Sequence, residues 1–445
     1  MNILFISLGC DKNLSDSEEM LGLLTEKGHN IVNSEEEADA IVINTCCFIH
    51  DAKEESVENI LEMAEYKKAG SLKALIVTGC MAQRYKEEII QEIPEVDAVL
   101  GTTSYGDIVK ALDEVLKGKS FQEFRDINEL PAVSASRVLT TGGHFGYLKI
   151  AEGCDKHCTY CIIPSLRGRF RSIPEERLIQ QAEYMASQGV KELILVAQET
   201  TVYGTDIYGK KTLHLLLKKL CGIKGIRWIR VLYCYPEEIY DELIQVMKEE
   251  KKICHYLDLP IQHASDRILK RMGRRTSKEQ LVEIIGKLRR EIPDIILRTT
   301  LITGFPGETE EDHQELMEFV DEMEFDRLGV FTYSAEEGTP AASMDGQIPE
   351  ELKEARRDEL MELQQEISLE KGNERIGQEL LVMIEGKVSG ESAYIGRTYG
   401  DAPNVDGYLF VQTGELLMTG DFAKVRVTGA MEYDLIGELA DEYTE

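Results

Sequence analysis

The sequence lacks any apolar run long enough to cross a membrane. Stretches such as the one around residues 75–78 are far shorter than the roughly 20 apolar residues that a spanning helix requires. The first residues contain no basic segment and no small-residue cleavage site, and they predict a strand instead of a signal peptide. We therefore expect a cytoplasmic protein, without secretion or membrane anchoring.

Basic residues are scarce relative to acidic ones. The chain has 50 Lys and Arg against 81 Asp and Glu, which gives a formal net charge of −31. Because an acidic surface repels phosphate, this balance argues against a nucleic-acid partner and favours a basic protein. With 43% hydrophobic and 29% charged residues, the 445-residue chain has the composition of a globular protein of about three domains.

Cysteine, in contrast, is plentiful: the chain has ten, and without an export signal they are more often metal ligands or catalytic groups than disulfides. Three of them, Cys10, Cys46 and Cys80, each follow a predicted strand of an α/β domain with a parallel sheet. Because the carboxyl ends of parallel strands share one edge, the three thiols should lie together. The alternative is that they are small buried apolar residues. The strands are predicted over 3–7, 40–44 and 74–78, and the helices over 15–27 and 53–68.

A second alternating block predicts a partial (β/α) barrel between about residues 145 and 340, after a polar linker over 118–141. In such a barrel the chemistry lies in the loops after the strands. Polar residues follow three of the predicted strands, namely Gln198 and Glu199, Gln262 and His263, and residues 304–308. The strands are predicted over 147–151, 192–197, 228–232, 256–259, 295–302 and 327–332, and the helices over 174–187, 236–250, 278–291 and 310–324.

The last part of the chain begins with a charged helix over 349–372 and then changes to short strands with Gly-rich turns. This pattern is typical of a small antiparallel β-barrel. Residues 373–445 contain five basic and fourteen acidic residues, a net charge of −9. We expect domains over 1–130, 131–372 and 373–445, with barrel strands over 380–384, 407–411, 424–428 and 434–438.

The most informative string places Cys154, Cys158 and Cys161 within eight residues, directly after a predicted strand. Three thiolates can hold one face of a 4Fe–4S cluster and leave one iron open, which marks a reactive site. A structural zinc ion is the alternative, with His157 as a fourth ligand, although zinc usually takes two close pairs of ligands. A disulfide is the other alternative.

This spacing, at the first strand of a six-unit barrel, resembles the radical S-adenosylmethionine superfamily. The resemblance implies that the open iron binds S-adenosylmethionine, from which an electron of the cluster generates a 5′-deoxyadenosyl radical. Tyr160, the aromatic residue before the last cysteine, would lie near the adenine. The order of an α/β domain, a radical core and a TRAM-like barrel is similar to that of the methylthiotransferases over nearly the whole chain. Further strings that resemble the methylthiotransferases lie at residues 7–13, 44–46 and 78–84.

The methylthiotransferase resemblance implies most of the site residues. It implies that Cys10, Cys46 and Cys80 hold a second 4Fe–4S cluster, also with an open iron. Cys47 is then a neighbour and not a ligand. Gly304 either lets the backbone approach a ligand or forms a tight turn before a helix. Expected cofactor-binding residues are Tyr160, Gln198, Glu199, Arg298 and Gly304, whereas Cys221, Cys234 and Cys254 are expected to pack in the core.

The same resemblance implies the reaction, which inserts a methylthio group at an unactivated carbon. S-adenosylmethionine would serve twice, first as methyl donor and then as radical source, and no catalytic residue is expected beyond the clusters. An electron donor and a sulfur source are also required. Because one cluster generates the substrate radical and the other delivers the methylthio group to it, the two triads must face each other across one cavity. This cavity must exclude water, since the radical is reactive.

The substrate within this family is either a tRNA adenosine or a ribosomal protein. Residues 153–172 and 401–407 resemble the branch that modifies the β-carbon of an aspartate in ribosomal small-subunit protein twelve, and the −9 charge of the last domain suits a cationic protein. Arg167, Arg169 and Arg171 form a basic stripe that either binds the substrate carboxylate or supports a cluster. A hypothesis of another class is a non-enzymatic iron–sulfur electron carrier or sensor.

Overall fold

The computed structural model describes residues 1–131 and 137–440. Within these ranges, none of the helices combines the length and the apolar composition that crossing a bilayer requires. All ten cysteines are free thiols, so a disulfide is excluded as the role of the Cys154–Cys161 string.

The N-terminal part is a six-stranded parallel sheet with helices on both faces. Its strand order is β2-β1-β3-β4-β5-β6. Strands β1, β3 and β4 are adjacent, and Cys10, Cys46 and Cys80 follow them at one edge of the sheet, as predicted. The elements are β1 (Asn2–Ser7), α1 (Asp11–Glu26), β2 (Asn30–Val32), β3 (Ala40–Thr45), α2 (His50–Lys68), β4 (Ala74–Gly79), α3 (Cys80–Tyr85), α4 (Glu87–Glu92), β5 (Ala98–Leu100), α5 (Ile108–Leu116) and β6 (Phe121–Glu123).

Helix α1 differs from the prediction, because it begins four residues earlier, at Asp11. Its first turns bury polar side chains, including Asn13, Asp16 and Glu18, in place of an apolar stripe. A hydrophobic pattern therefore could not reveal this part of the helix. The early start puts Cys10 at the N-cap position. Strands β2, β5 and β6 were missed because each has only three residues.

The central part is a second six-stranded parallel sheet, in the order β14-β13-β12-β11-β10-β7, which is the predicted partial barrel. Helices α9 and α11 were not predicted, and the predicted 236–250 helix is a short 3-10 turn followed by α10. The elements are β7 (Phe145–Lys149), β8 (Ala151–Glu152), α6 (Ile163–Arg167), β9 (Arg171–Ser172), α7 (Glu175–Ser187), β10 (Glu192–Val196), α8 (Thr205–Tyr208), α9 (Leu213–Cys221), β11 (Trp228–Val231), α10 (Asp241–Glu249), β12 (Ile253–Asp258), α11 (Asp266–Arg271), α12 (Lys278–Glu291), β13 (Ile296–Thr303), α13 (Glu310–Met323), β14 (Arg327–Thr332) and α14 (Glu350–Asn373).

The C-terminal part is a closed five-stranded barrel in the order β15-β16-β17-β19-β18. The predicted small barrel is confirmed, but β17 and β19 pair in parallel, so the barrel is not purely antiparallel. The missed strand is β16, in which Gly396 interrupts the apolar pattern. The elements are β15 (Glu379–Lys387), β16 (Ala393–Arg397), β17 (Leu409–Gln412), β18 (Phe422–Ala430) and β19 (Leu435–Leu439).

The C-terminal barrel covers the open side of the central sheet. Inward-facing side chains of that sheet, such as Tyr147 and Trp228, pack in one apolar cluster with Met383 and Phe422 of the barrel. Polar contacts at the 401–407 turn add to this interface, because the hydroxyl of Tyr256 donates to Asp406 at 2.7 Å. The turn that helped to identify the family therefore anchors the barrel to the core.

Candidate active site at two cysteine triads

The N-terminal triad consists of Cys10, Cys46 and Cys80. Cys46 and Cys80 are buried and Cys10 is exposed. Burial is the main cause that raises the pKa of Cys46 to about 12, and the nearby Cys80 and Cys10 raise it further. The three thiols are therefore close enough to influence one another electrostatically. The sheet edge therefore brings the predicted residues together.

A side-chain amide and a close approach of two backbone segments hold the loops of the N-terminal triad. The side-chain amide of Asn13 donates to the carbonyls of Leu8 and Thr45, each at 2.9 Å, and so joins the loops that carry Cys10 and Cys46. Gly79 has φ +95°, and a Cβ there would lie 2.5 Å from the carbonyl oxygen of Thr45. Only glycine fits this close approach, which sets the position of Cys80 at the start of α3.

The core triad consists of Cys154, Cys158 and Cys161, on the loop between β8 and α6. The amide of Lys156 donates to the sulfur of Cys154 at 3.4 Å. The loop is also held from α11, because the hydroxyl of Thr159 donates to the carbonyl of Arg271 at 2.8 Å. The triad is therefore preformed by contacts with its own backbone and with a neighbouring helix.

Both triads fit ligation of a cation. Burial raises the pKa of Cys154 and of Cys161 to about 12, and it also raises the pKa of Cys80. Without a bound cation these thiols stay protonated at neutral pH. Thiolates at such positions need positive charge from a ligand, and metal binding supplies it while releasing the protons.

The arrangement of the sulfur atoms argues against a single zinc ion. Three thiolates around one tetrahedral zinc, with Zn–S bonds near 2.3 Å, would lie roughly 3.8 Å apart. Within the described residues, neither triad gathers its three sulfur atoms within 4.8 Å of one another. A cluster of several irons binds each thiolate through a different iron, so its three thiolates need not meet at one metal atom. His157, the fourth ligand of the zinc alternative, is exposed.

The remaining cysteines lie in packed interiors. Cys47 is fully buried in an apolar cluster with Cys80 and Leu166, as expected for a neighbour of the ligands. Cys234 and Cys254 are buried in apolar clusters of the central part, and the partly buried Cys221 packs against the cluster that contains Cys234.

Arg167 connects the two triads. Its guanidinium donates to Asn13 at 2.6 Å, to Asp16 at 2.7 Å and to Glu152 at 3.2 Å. Asn13 holds the N-terminal loops, and Glu152 directly precedes the loop of the core triad. The guanidinium also lies near Cys80, whose pKa burial raises and Arg167 lowers. One buried cation therefore fixes the two sites relative to each other.

The basic stripe consequently does not act as one surface. Arg167 is 2% exposed and its donors are used within the protein. Arg171 donates to the carbonyl of Arg167 at 3.0 Å, and only Arg169 is exposed. Contact with substrate and support of a cluster both stay predictions for Arg167.

Gln198 and Glu199 lie beside the core triad but have different surroundings. Gln198 accepts a hydrogen bond from the amide of Gly153 at 2.9 Å and donates to Glu152 at 3.0 Å, so both ends of its amide hold the cluster loop. Glu199 is 1% exposed, and its Oε2 has no partner among the described residues. An unpaired buried carboxylate oxygen is costly, which indicates that a ligand completes it.

The pH dependence of stability should report the cost of Glu199. Burial raises the pKa of Glu199 to about 8, above its ordinary value of 4.5, so the folded protein loses stability as the pH rises from 4.5 through 8. Glu199→Gln should therefore raise the free energy of unfolding of the cofactor-free protein by about 3–5 kcal/mol at pH 9 and leave it unchanged at pH 4. Denaturant unfolding at both pH values measures this difference.

Glu238→Gln is the matched control for Glu199→Gln. Burial opposes ionisation of Glu238, but Lys156 and Lys211 hold its pKa below the ordinary value. This substitution should lower stability at pH 9, the opposite sign. Equal effects of the two substitutions would contradict the assignment of an uncompensated charge to Glu199.

Two other predicted cofactor residues, Arg298 and Gly304, contact other parts of the protein. Arg298 pairs with Asp258 at 2.8 Å and with Asp406 at 3.3 Å, and so joins the core to the C-terminal barrel. Gly304 has φ +70°, and a Cβ there would lie 2.1 Å from the side chain of Lys353, so only glycine lets this turn pack against α14. The roles of Arg298 and Gly304 in cofactor binding stay predictions.

Tyr160 packs edge-on against Phe305, with ring centroids 6.5 Å apart. Phe305 in turn contacts Tyr333 at 5.3 Å. These rings form an apolar wall beside the core triad, and the position of Tyr160 near the adenine stays a prediction.

Sequence reasoning missed Arg274 and Tyr235. The guanidinium of Arg274 stacks 4.4 Å from the ring centroid of Tyr235, whose hydroxyl lies 3.8 Å from the sulfur of Cys158. Two nitrogens of Arg274 are buried without a partner among the described residues. A further cation, Lys12, lies 3.2 Å over the ring of Tyr233, beside the N-terminal triad. The sequence signal that could have identified Lys12 is its place within residues 7–13, one of the strings that resemble the methylthiotransferases.

Three family models match the chain. One is described as Uncharacterized protein family UPF0004 and matches residues 2–101. The model of the Radical SAM superfamily matches residues 148–320, and that of the TRAM domain matches residues 376–440. These matches follow the three parts of the fold.

Relatives match almost the whole chain, and a solved structure shares the fold over 82% of it. The radical S-adenosylmethionine methyltransferase TsrM from Kitasatospora setae shares the fold, with a TM-score of 0.57, 12% identity, and coverage of 82% of this chain and 89% of that one. A protein of Lachnoclostridium phytofermentans named ribosomal protein uS12 methylthiotransferase RimO is 66% identical, covering 98% of this chain and 99% of the relative. A protein of the same name from Pelotomaculum thermopropionicum is 52% identical over 97% and 98%. At this identity over almost its full length, the chain belongs to the RimO family.

Proposed function

We propose that the protein is a radical S-adenosylmethionine methylthiotransferase that modifies the β-carbon of an aspartate in ribosomal protein uS12. The observation that carries the proposal is the pair of thiol triads connected through Arg167. The N-terminal triad lies at the carboxyl ends of a parallel sheet, and the core triad lies on the loop after β7 and β8. The core triad would hold one 4Fe–4S cluster and the N-terminal triad the other. When bound, the clusters and two molecules of S-adenosylmethionine supply the radical and the methylthio group.

The chain itself supplies binding, orientation and exclusion of water. The free Oε2 of Glu199 would accept the ammonium group of S-adenosylmethionine, which pairs the buried charge. Arg274 places positive charge beside Cys158, which would bind the core cluster as a thiolate. The rings of Tyr160, Phe305 and Tyr333 pack together and would exclude water from this side of the site.

The choice of uS12 as substrate is supported by the names of the relatives and by charge. The relatives that cover almost the whole chain are named for uS12. The net charge of −31 disfavours an RNA substrate, which must be held through its phosphates. We also propose that the reaction draws on an external electron donor and an external sulfur source, because neither is provided by the residues of the site.

The test is a direct competition between substrates. The purified, cluster-reconstituted protein should methylthiolate an aspartate of uS12 when S-adenosylmethionine and a reductant are present, and tRNA should stay unmodified. Mass spectrometry of both substrates and the release of 5′-deoxyadenosine are the readouts. Methylthiolated tRNA with unmodified uS12 would support the tRNA alternative, and clusters without any 5′-deoxyadenosine would support an electron carrier or sensor.

A further inference from the structure

Two exposed phenylalanines lie along the seam between the N-terminal part and the core. Phe48 is 41% exposed and follows Cys46 by two residues, and Phe331 is 53% exposed on strand β14. The N-terminal part and the core are in contact near these phenylalanines, since the amide of His50 lies 3.4 Å from the hydroxyl of Ser334. Large apolar side chains exposed at a domain junction are a feature of interaction sites.

This seam runs past both triads. On one side, Arg84 contacts the carbonyl of Cys47 at 3.4 Å and the carboxylate of Glu336 at 3.0 Å. On the other side, the amide of Ala341 donates to the carbonyl of Thr159 in the loop of the core triad at 2.9 Å. The loop over 333–341 therefore borders the loops of the two triads, where a substrate must enter to reach both.

The exposed charge along the seam is acidic. Asp51 and Glu54 lie at the start of α2 beside His50, and Glu337 lies on the facing loop. Arg84, the cation that crosses the seam, is already paired with Glu336. We call Phe48, Asp51, Glu54, Phe331 and Glu337 together the seam rim.

We propose that the seam rim is the docking surface for a basic segment of the substrate protein, next to its target aspartate. The inference rests on the proposed function. The rim offers two aromatic faces that attract Lys and Arg side chains, and carboxylates that pair with the same groups. A polyanion such as RNA would be repelled from it.

The exposed loop of the C-terminal barrel is the competing surface, because Leu416 is 82% and Met418 is 68% exposed. That loop has no contact with the loop of either triad among the contacts of the described residues. It provides the matched control, since it carries two equally apolar exposed side chains.

The experiment measures steady-state modification of uS12 by the reconstituted full-length enzyme. Phe48→Ser/Phe331→Ser should raise KM for uS12 by roughly 30-fold, the effect of losing two interface anchors, with kcat changed less than about threefold. Iron content and the release of 5′-deoxyadenosine without uS12 should stay at the wild-type level. Leu416→Ser/Met418→Ser should leave KM within about threefold.

A second variant tests the charge. Asp51→Asn/Glu54→Gln/Glu337→Gln should raise KM and weaken its dependence on salt. If the wild-type enzyme is active and KM is unchanged in both rim variants, the docking site is wrong but the proposed function stands. A KM that is raised only in the Leu416/Met418 variant would have the same meaning. Absence of uS12 modification by the wild-type enzyme would instead overturn the proposed function, and the docking site with it.

Discussion

Replacing Arg167 with methionine should lower the free energy of unfolding by about 3–5 kcal/mol. The guanidinium is 2% exposed and pairs with Asp16 and Glu152, which are equally buried. Methionine fills a similar volume but leaves both carboxylates without this partner, although Lys149 still pairs with them. Denaturant unfolding of the cofactor-free protein under reducing conditions measures the difference.

Arg169→Met is the control for this substitution. Arg169 belongs to the same basic stripe but its side chain is exposed, so its replacement should change stability by less than about 0.5 kcal/mol. Similar stability losses in the two variants would mean that the buried network around Arg167 does not carry the energy that its geometry indicates.

Replacing Cys10, Cys46 and Cys80 together with alanine should abolish methylthiolation of uS12 while preserving cleavage of S-adenosylmethionine. The core triad stays intact in this variant, so 5′-deoxyadenosine should still form. The N-terminal cluster is lost, and with it the site at which sulfur is delivered. Mass spectrometry of uS12 and quantitation of 5′-deoxyadenosine in one reaction separate the two outcomes.

Cys47→Ala is the matched control for the N-terminal triple variant. Cys47 is fully buried next to Cys46 but packs among apolar side chains. Its replacement should retain iron and methylthiolation and cost only the stability of a small buried side chain. If the triple variant still modified uS12, or if Cys47→Ala removed the iron, the assignment of ligands would be wrong.

The sequence predicted those parts of the fold that follow from local apolar patterns. The buried strands β1, β3, β4 and β10 to β14 are rich in apolar residues, and their order determined where the loops with cysteines meet. The two triads could be predicted because spacing along the chain and position at a strand end are both readable without tertiary contacts.

The rest depended on contacts between distant residues. The first turns of α1 bury Asp16 and Glu18 against Lys149 and Arg137, so their polarity concealed the helix. The same contacts enclose Arg167, which in the sequence has the pattern of a surface stripe. Gly304 is required by the side chain of Lys353, 49 residues away along the chain, and such a packing partner leaves no local signal.

The central claim is that each cysteine triad holds its own 4Fe–4S cluster. The direct measurement is iron and sulfide content with Mössbauer spectra, compared between the intact protein and Cys154→Ala/Cys158→Ala/Cys161→Ala. We expect the variant to retain half of the cubane signal, held by the N-terminal triad. Complete loss of the signal, or no loss at all, would contradict the existence of two separate sites.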